Sequence, residues 1–316
     1  MAEKIKLGIS TCLLGEKVRY DVNHKLDSFL KDTLGQWIQY VQVCPEVECG
    51  LPTPREAMRL VGDPDNPRLV TNNAGIDYTE KMKAWGAERL KELEKEGLCG
   101  YIFKSKSPSS GMERIKVYSD KGKPVKKGVG IWARMFMDYF PLLPVEDEGR
   151  LHDPVLRENF IERVFVFKRW RESVAGGKTL GNLVKFHTRH KLLIMAHSVG
   201  IYRRLGKLVA EGKKHAPGQL YREYLNLLAG ALKLKTTLKK NVNVLYHLMR
   251  FFKKVLAPDE SRAVLELIDS YAKGYIPLIV PVTMFNHFVR KYGQPYLSQQ
   301  YYLNPHPLEL KLRTHV

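Results

Sequence analysis

Cysteine is scarce in this chain, with four in 316 residues. Four unevenly spaced thiols do not make a disulfide framework at this length, so a reducing cytoplasm is the expected compartment. Long apolar runs are lacking as well. The longest, Tyr275 to Phe285, is short and is broken by Pro277 and Pro281. Nothing approaches the ~20 apolar residues of a membrane helix, and no membrane partner is expected. Met1 to Lys6 reads directly into a strand rather than through an apolar leader. No internal repeat or low-complexity tract is present, so repeat arrays are excluded.

Acid is scarce in one half only. Residues 1–150 carry 24 Lys/Arg against 22 Asp/Glu, whereas residues 151–316 carry 28 against 11. Residues 173–210 hold seven Lys/Arg and no acid, and residues 224–258 hold seven more. This asymmetry joins a near-neutral domain to one that meets a polyanion, with nucleic acid as first candidate. Lys185, Arg189, Lys191, Arg203 and Arg204 are the candidate RNA contacts. The interleaved aromatics Phe186, Tyr202, Tyr246, Phe251 and Phe252 read better as core than as stacking platforms. His187, His190 and His197 share one helical face. No Cys or carboxylate lies close to them in sequence, so packing or phosphate contact is favoured over metal.

Strands and helices alternate in the first half. Lys6–Ser10, Trp37–Val43 and Gly100–Lys104 read as strands and Arg114–Tyr118 as an edge strand. Leu26–Leu34, the stripe from Tyr78 to Gly97 and Ile131–Tyr139 read as helices. That alternation argues a Rossmann-like α/β fold with a parallel sheet. Pro141–Asp153, with its prolines and acids, is the expected linker. Beyond it, apolar residues recur at helical spacing in 179–195, 199–210, 219–234, 242–256, 261–272 and 278–290. The expected organisation is an α/β domain over 1–145 and a basic all-helical domain over 146–316.

In parallel sheets, sites form where the carboxyl ends of the strands meet. Three strand ends here carry Gly-terminated loops: Ser10–Gly15, Cys44–Gly50 and Ser105–Gly111. The second puts two cysteines and two carboxylates, Glu46 and Glu48, into six residues. Thiolates bind soft metals or attack electrophiles, and a neighbouring carboxylate can move protons. Cys12 and Cys49 can share a metal or an iron–sulfur cluster. Cys99 lies at the wrong end of its strand, roughly 16 Å from the rim at 3.3 Å per residue. Spacing alone also leaves a zinc site or a redox dithiol open.

Several runs resemble the thiouracil desulfidase family: Ser10-Thr11-Cys12-Leu13-Leu14-Gly15, Val18-Arg19-Tyr20-Asp21 with His24, Cys44-Pro45-Glu46, Cys49-Gly50-Leu51-Pro52 with Pro54-Arg55, and Lys104 to Gly111. In the second half, Lys185 to Lys191, Met195 to Ser198 and Gln300 to Pro307 resemble the helical domain often fused to that family. The resemblance implies a [4Fe–4S] cluster on three cysteines, whose open iron captures a thiocarbonyl sulfur that water replaces. It places Cys12, Cys49 and position 110 at the cluster, Glu46 as acid/base, and Ser109, Arg19 and Lys104 against the substrate. It implies thiouracil or 4-thiouridine in transfer RNA (tRNA) as substrate and tRNA as partner.

Two departures stand out. Ser110 occupies the third cysteine position, so the cluster is expected to be weakened or absent and the chain to be an inactivated Cys-to-Ser form. Met112 stands where the free-base enzymes carry a second serine. The alternative is a non-catalytic RNA-binding protein with a redox or zinc thiol site.

Overall fold

The computed structural model describes residues 4–119 and 123–315. The chain forms two units, Met1–Phe160 and Ile161–Val316. The first unit contains strands β1 (Ile5–Ser10), β2 (Ile38–Val43), β3 (Met58–Asp63), β4 (Asn66–Thr71), β5 (Tyr101–Phe103), β6 (Ile115–Tyr118), β7 (Val125–Gly128) and β8 (Val145–Asp147). Its α-helices are α1 (Pro45–Glu48), α2 (Thr79–Glu96) and α3 (Ile131–Tyr139). Helix α4 (Pro154–Ala175) begins in the first unit and continues into the second.

Strands β2-β1-β5-β8 form a four-stranded, all-parallel sheet in that order. Ile5 lies opposite Ile38 and Ser10 opposite Val43, so β1 and β2 end in register and deliver their loops to one edge. Leu7, Ile9, Tyr101, Ile102 and Phe103 are fully buried, as expected for strands covered on both faces. Gly8 is required by close packing: a β-carbon there would lie 2.2 Å from Cδ2 of Tyr101. Tyr101, Phe103, Trp132 and Phe136 pack as tilted and edge-on rings, with Tyr101 and Phe136 centroids 4.5 Å apart. The Trp132 indole N–H donates to the Tyr101 hydroxyl at 3.2 Å, which satisfies a buried polar group.

The structure corrects three expectations in this unit. A second, mixed sheet of order β4-β3-β6-β7 puts β6 in its interior, although Arg114–Tyr118 reads as an edge. The cause is β7, Val125-Lys126-Lys127-Gly128, whose exposed lysines hide its strand character. Residues 141–153, read as a linker, carry β8, which completes the parallel sheet. Where 26–34 reads as a helix, the chain forms a π-helical turn, Phe29–Thr33, and then a 3-10 turn, Leu34–Gln36.

The second unit is helical: α5 (Leu180–His197), α6 (Val199–Ala210), α7 (Pro217–Lys233), α8 (Leu238–Phe252), α9 (Pro258–Ala272), α10 (Ile279–Lys291) and the short α11 (Pro295–Ser298). Thr179, Ser198 and Thr237 cap the starts of α5, α6 and α8 through their side-chain oxygens. The core runs through Leu193, Leu205, Tyr224, Leu228, Val244, Phe252, Ile268 and Phe285. Helix α4, which the spacing does not announce, starts where Asp153 Oδ1 accepts from the N–H groups of Val155 and Leu156. No helix among the described residues is long and apolar enough to cross a membrane.

Candidate functional site

The carboxyl ends of β1, β2 and β5 open onto one cavity of about 420 Å³. Ser10, Thr11 and Cys12 line it from the first strand end, Val43 to Glu46 from the second, and Lys104 to Pro108 with Ser110 from the third. Two further walls come from Val18–Tyr20 and Arg55–Met58. The three loops thus converge as the strand-end rule predicts.

Glu46 links two of these loops. Its Oε1 accepts a hydrogen bond from the Ser109 hydroxyl, and its Oε2 lies 3.5 Å from Cys44 Sγ. The Arg55 guanidinium approaches the same oxygen at 4.0 Å. Arg55 itself is anchored by donating to the Val18 and Pro52 carbonyls and to Thr53 Oγ1. A carboxylate held this way has a hydroxyl donor, a thiol and a cation within reach, which suits it to moving a proton.

Cys12 and Cys44 line the cavity. Cys49 does not belong to its lining; it packs with Leu51, Leu60, Leu69 and Met82, and its Sγ donates to the Glu46 carbonyl at 3.3 Å. Cys44 is therefore the second thiol of the cavity lining. Burial, with Glu46 as the next cause, pushes the Cys12 thiol up to about 11 and the Cys44 thiol up to about 12. The same two causes raise Cys49. All three are protonated at neutral pH and poor nucleophiles as they stand.

The third loop is fixed through its backbone. Ser107 Oγ accepts from the N–H groups of Ser109 and Ser110, and the Gly111 N–H donates to the Ser107 carbonyl at 2.8 Å. The start of α3 closes on it: Gly130, Ile131 and Ala133 donate to the carbonyls of Gly111, Pro108 and Ser109. Gly130 has no room for a side chain, since a β-carbon would lie 2.4 Å from the Ser109 carbonyl oxygen. Ser110 lines the cavity, whereas Ser109 is fully buried behind it and reaches Glu46.

Arg19 and Lys104 line the cavity. Lys104 is already ion-paired with Glu148, which also accepts from the Ser105 N–H and hydroxyl. Glu148 follows β8, and because its strand reads as linker, sequence reasoning missed it. Arg55 follows Pro54 in the sequence, and its reach to Glu46 is not legible from spacing.

In the helical unit, Lys185 and Arg189 line a second, smaller cavity, Arg203 and Arg204 are exposed on α6, and Lys191 is half-buried. The three histidines of α5 are each held separately. His187 Nδ1 meets the Tyr224 hydroxyl at 3.0 Å, His190 Nδ1 the Phe186 carbonyl at 2.7 Å, and His197 Nε2 the Glu162 carboxylate at 2.6 Å. Among the described residues no three His, Cys, Asp or Glu are placed to hold a metal ion.

A parallel-sheet domain with its thiols and carboxylate on a strand-end cavity, followed by a helical unit, defines the class: a two-domain α/β and all-α protein with a sulfur-bearing site. Residues 7–148 match the model of the family described as 2-thiouracil desulfurase, and residues 191–307 match a protein family of unknown function, DUF1722. Residues 7–148 belong to the 2-thiouracil desulfurase family, and the chain joins them to a second, helical domain.

Among curated relatives, the uncharacterized protein YbgA of Escherichia coli (strain K12) is 30% identical over 152 residues, covering 48% of this chain and 90% of YbgA. The uncharacterized protein YbbK of Bacillus subtilis (strain 168) is 27% identical over 132 residues, covering 40% of this chain and 86% of YbbK. Among solved structures, the [4Fe-4S]-dependent thiouracil desulfidase TudS is 30% identical, with a TM-score of 0.40, covering 48% of this chain and 95% of TudS.

Proposed function

We propose that the cavity receives a thiolated uracil and that the full chain is built to act on 4-thiouridine in tRNA. The reaction converts C=S to C=O: water supplies the oxygen, hydrogen sulfide leaves, and nothing is oxidised or reduced. The observation that supports this most is the meeting of Cys12, Cys44, Glu46 and position 110 on one cavity at the sheet's carboxyl edge. Glu46 is the acid/base group, passing a proton to or from the exchanging sulfur and oxygen. Ser109 holds it by a hydrogen bond, and Arg55 offsets its charge. Arg19 and Lys104 face the uracil ring and its attached ribose-phosphate, and the strongly basic second unit supplies contact with tRNA.

An open-iron [4Fe–4S] cluster needs three protein thiolates. The cavity presents two thiols, Cys12 and Cys44, and a hydroxyl at Ser110. Hydroxyl oxygen is a poor ligand for thiophilic iron. The residues present do not fit a three-thiolate cluster. This chain retains the recognition and proton-handling parts of the site, and turnover requires cysteine at 110. The absent thiolate also favours a second reading, an RNA-binding protein without catalysis.

Anaerobic iron–sulfide reconstitution of the chain and of its Ser110→Cys variant decides between them. The expected result is little iron in the former, and four irons with matching sulfide in the latter, together with loss of the 4-thiouridine absorbance of tRNA. A Ser110→Cys protein that binds no iron and leaves thiolated tRNA unchanged sinks the desulfidase reading.

A further inference from the structure

The second unit contains a cavity of about 250 Å³ that the desulfidase site does not use. Lys185, Phe186, Arg189 and His190 line it from α5, Arg169, Glu172, Ser173 and Gly176 from α4 and its end, and Tyr301 from the chain beyond α11. Two sequence runs far apart, 185–191 and 300–307, thus meet at one hollow. Tyr301 is fastened there by its N–H, which donates to the Arg189 carbonyl at 3.0 Å, and Gln300 donates to the Thr188 carbonyl at 2.8 Å.

The walls hold two polar atoms with unmet needs. Arg169 Nη2 donates to the Pro305 carbonyl, but its Nη1 is buried and has no partner. The guanidinium lies over the Tyr301 ring at 3.8 Å, which fixes its plane. His190 is 1% exposed and stacks on Phe186, with centroids 3.9 Å apart. Its Nδ1 faces a backbone carbonyl, which can only accept, so Nδ1 carries the proton and Nε2 is a bare acceptor. That Nε2 is also buried and unpartnered. Buried polar atoms are almost always satisfied, so an orphan donor and an orphan acceptor carried by two residues of one cavity wall point to a bound group that supplies both.

The ligand must offer an anionic oxygen to Arg169 and a hydroxyl hydrogen to His190. Lys185 and Arg189 add positive charge, whereas Glu172, tied to Lys168 at 3.7 Å, opposes it. A free dianion would meet Glu172, and one without a hydroxyl, such as sulfate, would leave His190 unsatisfied. A ribose-phosphate satisfies both, its phosphate oxygen on Arg169 and its 2′-hydroxyl on His190. We infer that this cavity is a ribose-phosphate subsite through which the helical unit grips the RNA backbone and distinguishes RNA from DNA. The inference rests on the tRNA reading above and gives it a place on the molecule.

Fluorescence anisotropy on the full chain tests it, using an unthiolated single-stranded RNA of about a dozen nucleotides and DNA of the same sequence. The RNA should bind more tightly, by a few-fold to about tenfold, the worth of one neutral hydrogen bond. Arg169→Met should weaken RNA binding by tenfold or more, as loss of a charge-assisted bond does. His190→Phe, which keeps the stack on Phe186, should erase the RNA–DNA difference. Lys185→Met with Arg189→Met, changes on the outer wall, should weaken both nucleic acids and flatten the salt dependence. Circular-dichroism melts check that each variant folds; if Arg169→Met does not, His190→Phe and the double variant carry the test. Equal binding of RNA and DNA by the unmodified chain overturns the inference, as does an unchanged RNA–DNA difference in His190→Phe. Displacement of RNA by inorganic phosphate as readily as by a ribonucleoside monophosphate would reduce the site to a simple anion site and also overturns it. Because the probe carries no sulfur, a chain that never desulfurates still reports here. One that desulfurates free thiouracil but ignores RNA overturns this inference and the tRNA part of the reading above, and leaves the desulfidase chemistry standing.

Discussion

Glu162 Oε2 accepts a hydrogen bond from the Arg313 guanidinium at 3.1 Å, across 151 residues of chain, while its other oxygen receives His197 at 2.6 Å. All three side chains are buried. This carboxylate ties the start of the helical unit to its end, and His306 adds a further cationic influence on it. Despite burial, these partners hold its carboxyl down at about 2.

Removing it should be costly. Glu162→Ala leaves Arg313 and His197 without their shared acceptor, and breaking one side of a buried ion pair costs about 3–5 kcal/mol. Urea unfolding should show a midpoint lowered accordingly with an unchanged slope. A loss below about 1 kcal/mol would mean that water replaces the carboxylate and the tie is ornamental.

Acid should loosen the helical unit early. Burial first, and Lys191 for His187, Arg169 and Arg189 for His190, and Arg313 and Arg169 for His306, hold these histidines at about 4, 3 and 4. Glu162 pulls the other way on His306. The unfolded chain takes up protons below about 6.5 that the folded chain refuses, so stability is full above that pH and falls as pH drops. At pH 5.5 each histidine withdraws about 1.4 kcal/mol. Glu162 contributes a further loss only below about 4.5, as the pH falls toward its folded value near 2. Amide exchange of α5 at pH 7.5 and 5.5 measures this; equal protection at both would contradict it.

The two neighbouring cysteines should behave unequally. In a Ser110→Cys background, Cys44→Ala should abolish iron binding, because Cys44 lines the cavity with Cys12. Cys49→Ala should keep iron and lose about 1–3 kcal/mol of stability, because Cys49 fills the core beside Leu60 and Met82. Iron content and thermal melting of the two proteins separate the roles; the reverse pattern would restore Cys49 as the ligand.

Gly130→Ala should damage the first unit out of proportion to one methyl group. The new carbon would lie 2.4 Å from the Ser109 carbonyl oxygen and 2.5 Å from its carbon, both backbone atoms that cannot rotate away. Overpacking of this kind costs about 1–3 kcal/mol. A chemical-denaturation midpoint equal to that of the unmodified chain would show that the contact relaxes freely.

The sequence yields those features that depend on local pattern. The parallel strands ending at Ser10, Val43 and Phe103, and helices α5 to α10, follow from alternation, helical spacing and turn residues. Their convergence on one cavity follows from strand direction alone. What escapes depends on partners far along the chain. Strand β7 is lysine-rich and β8 is three residues between turns, so only the neighbouring strand identifies each. Which of Cys44 and Cys49 faces the cavity turns on a single four-residue helix, α1, whose rotation no spacing argument fixes. Arg169 shows the same limit, because its role depends on Tyr301 and Pro305.

The loop that carries Ser110 is held by the Ser107 hydroxyl and by the first turn of α3, both acting on the loop's own main-chain groups. The contacts that shape it use the Ser110 N–H and leave its side chain to face the cavity. Position 110 is therefore a socket whose occupant can be exchanged without rebuilding the frame around it. On the function proposed above, replacing one oxygen by one sulfur should interconvert a chain that only captures thiolated RNA and one that consumes it. A lineage could move between those states, in either direction, by a single codon change.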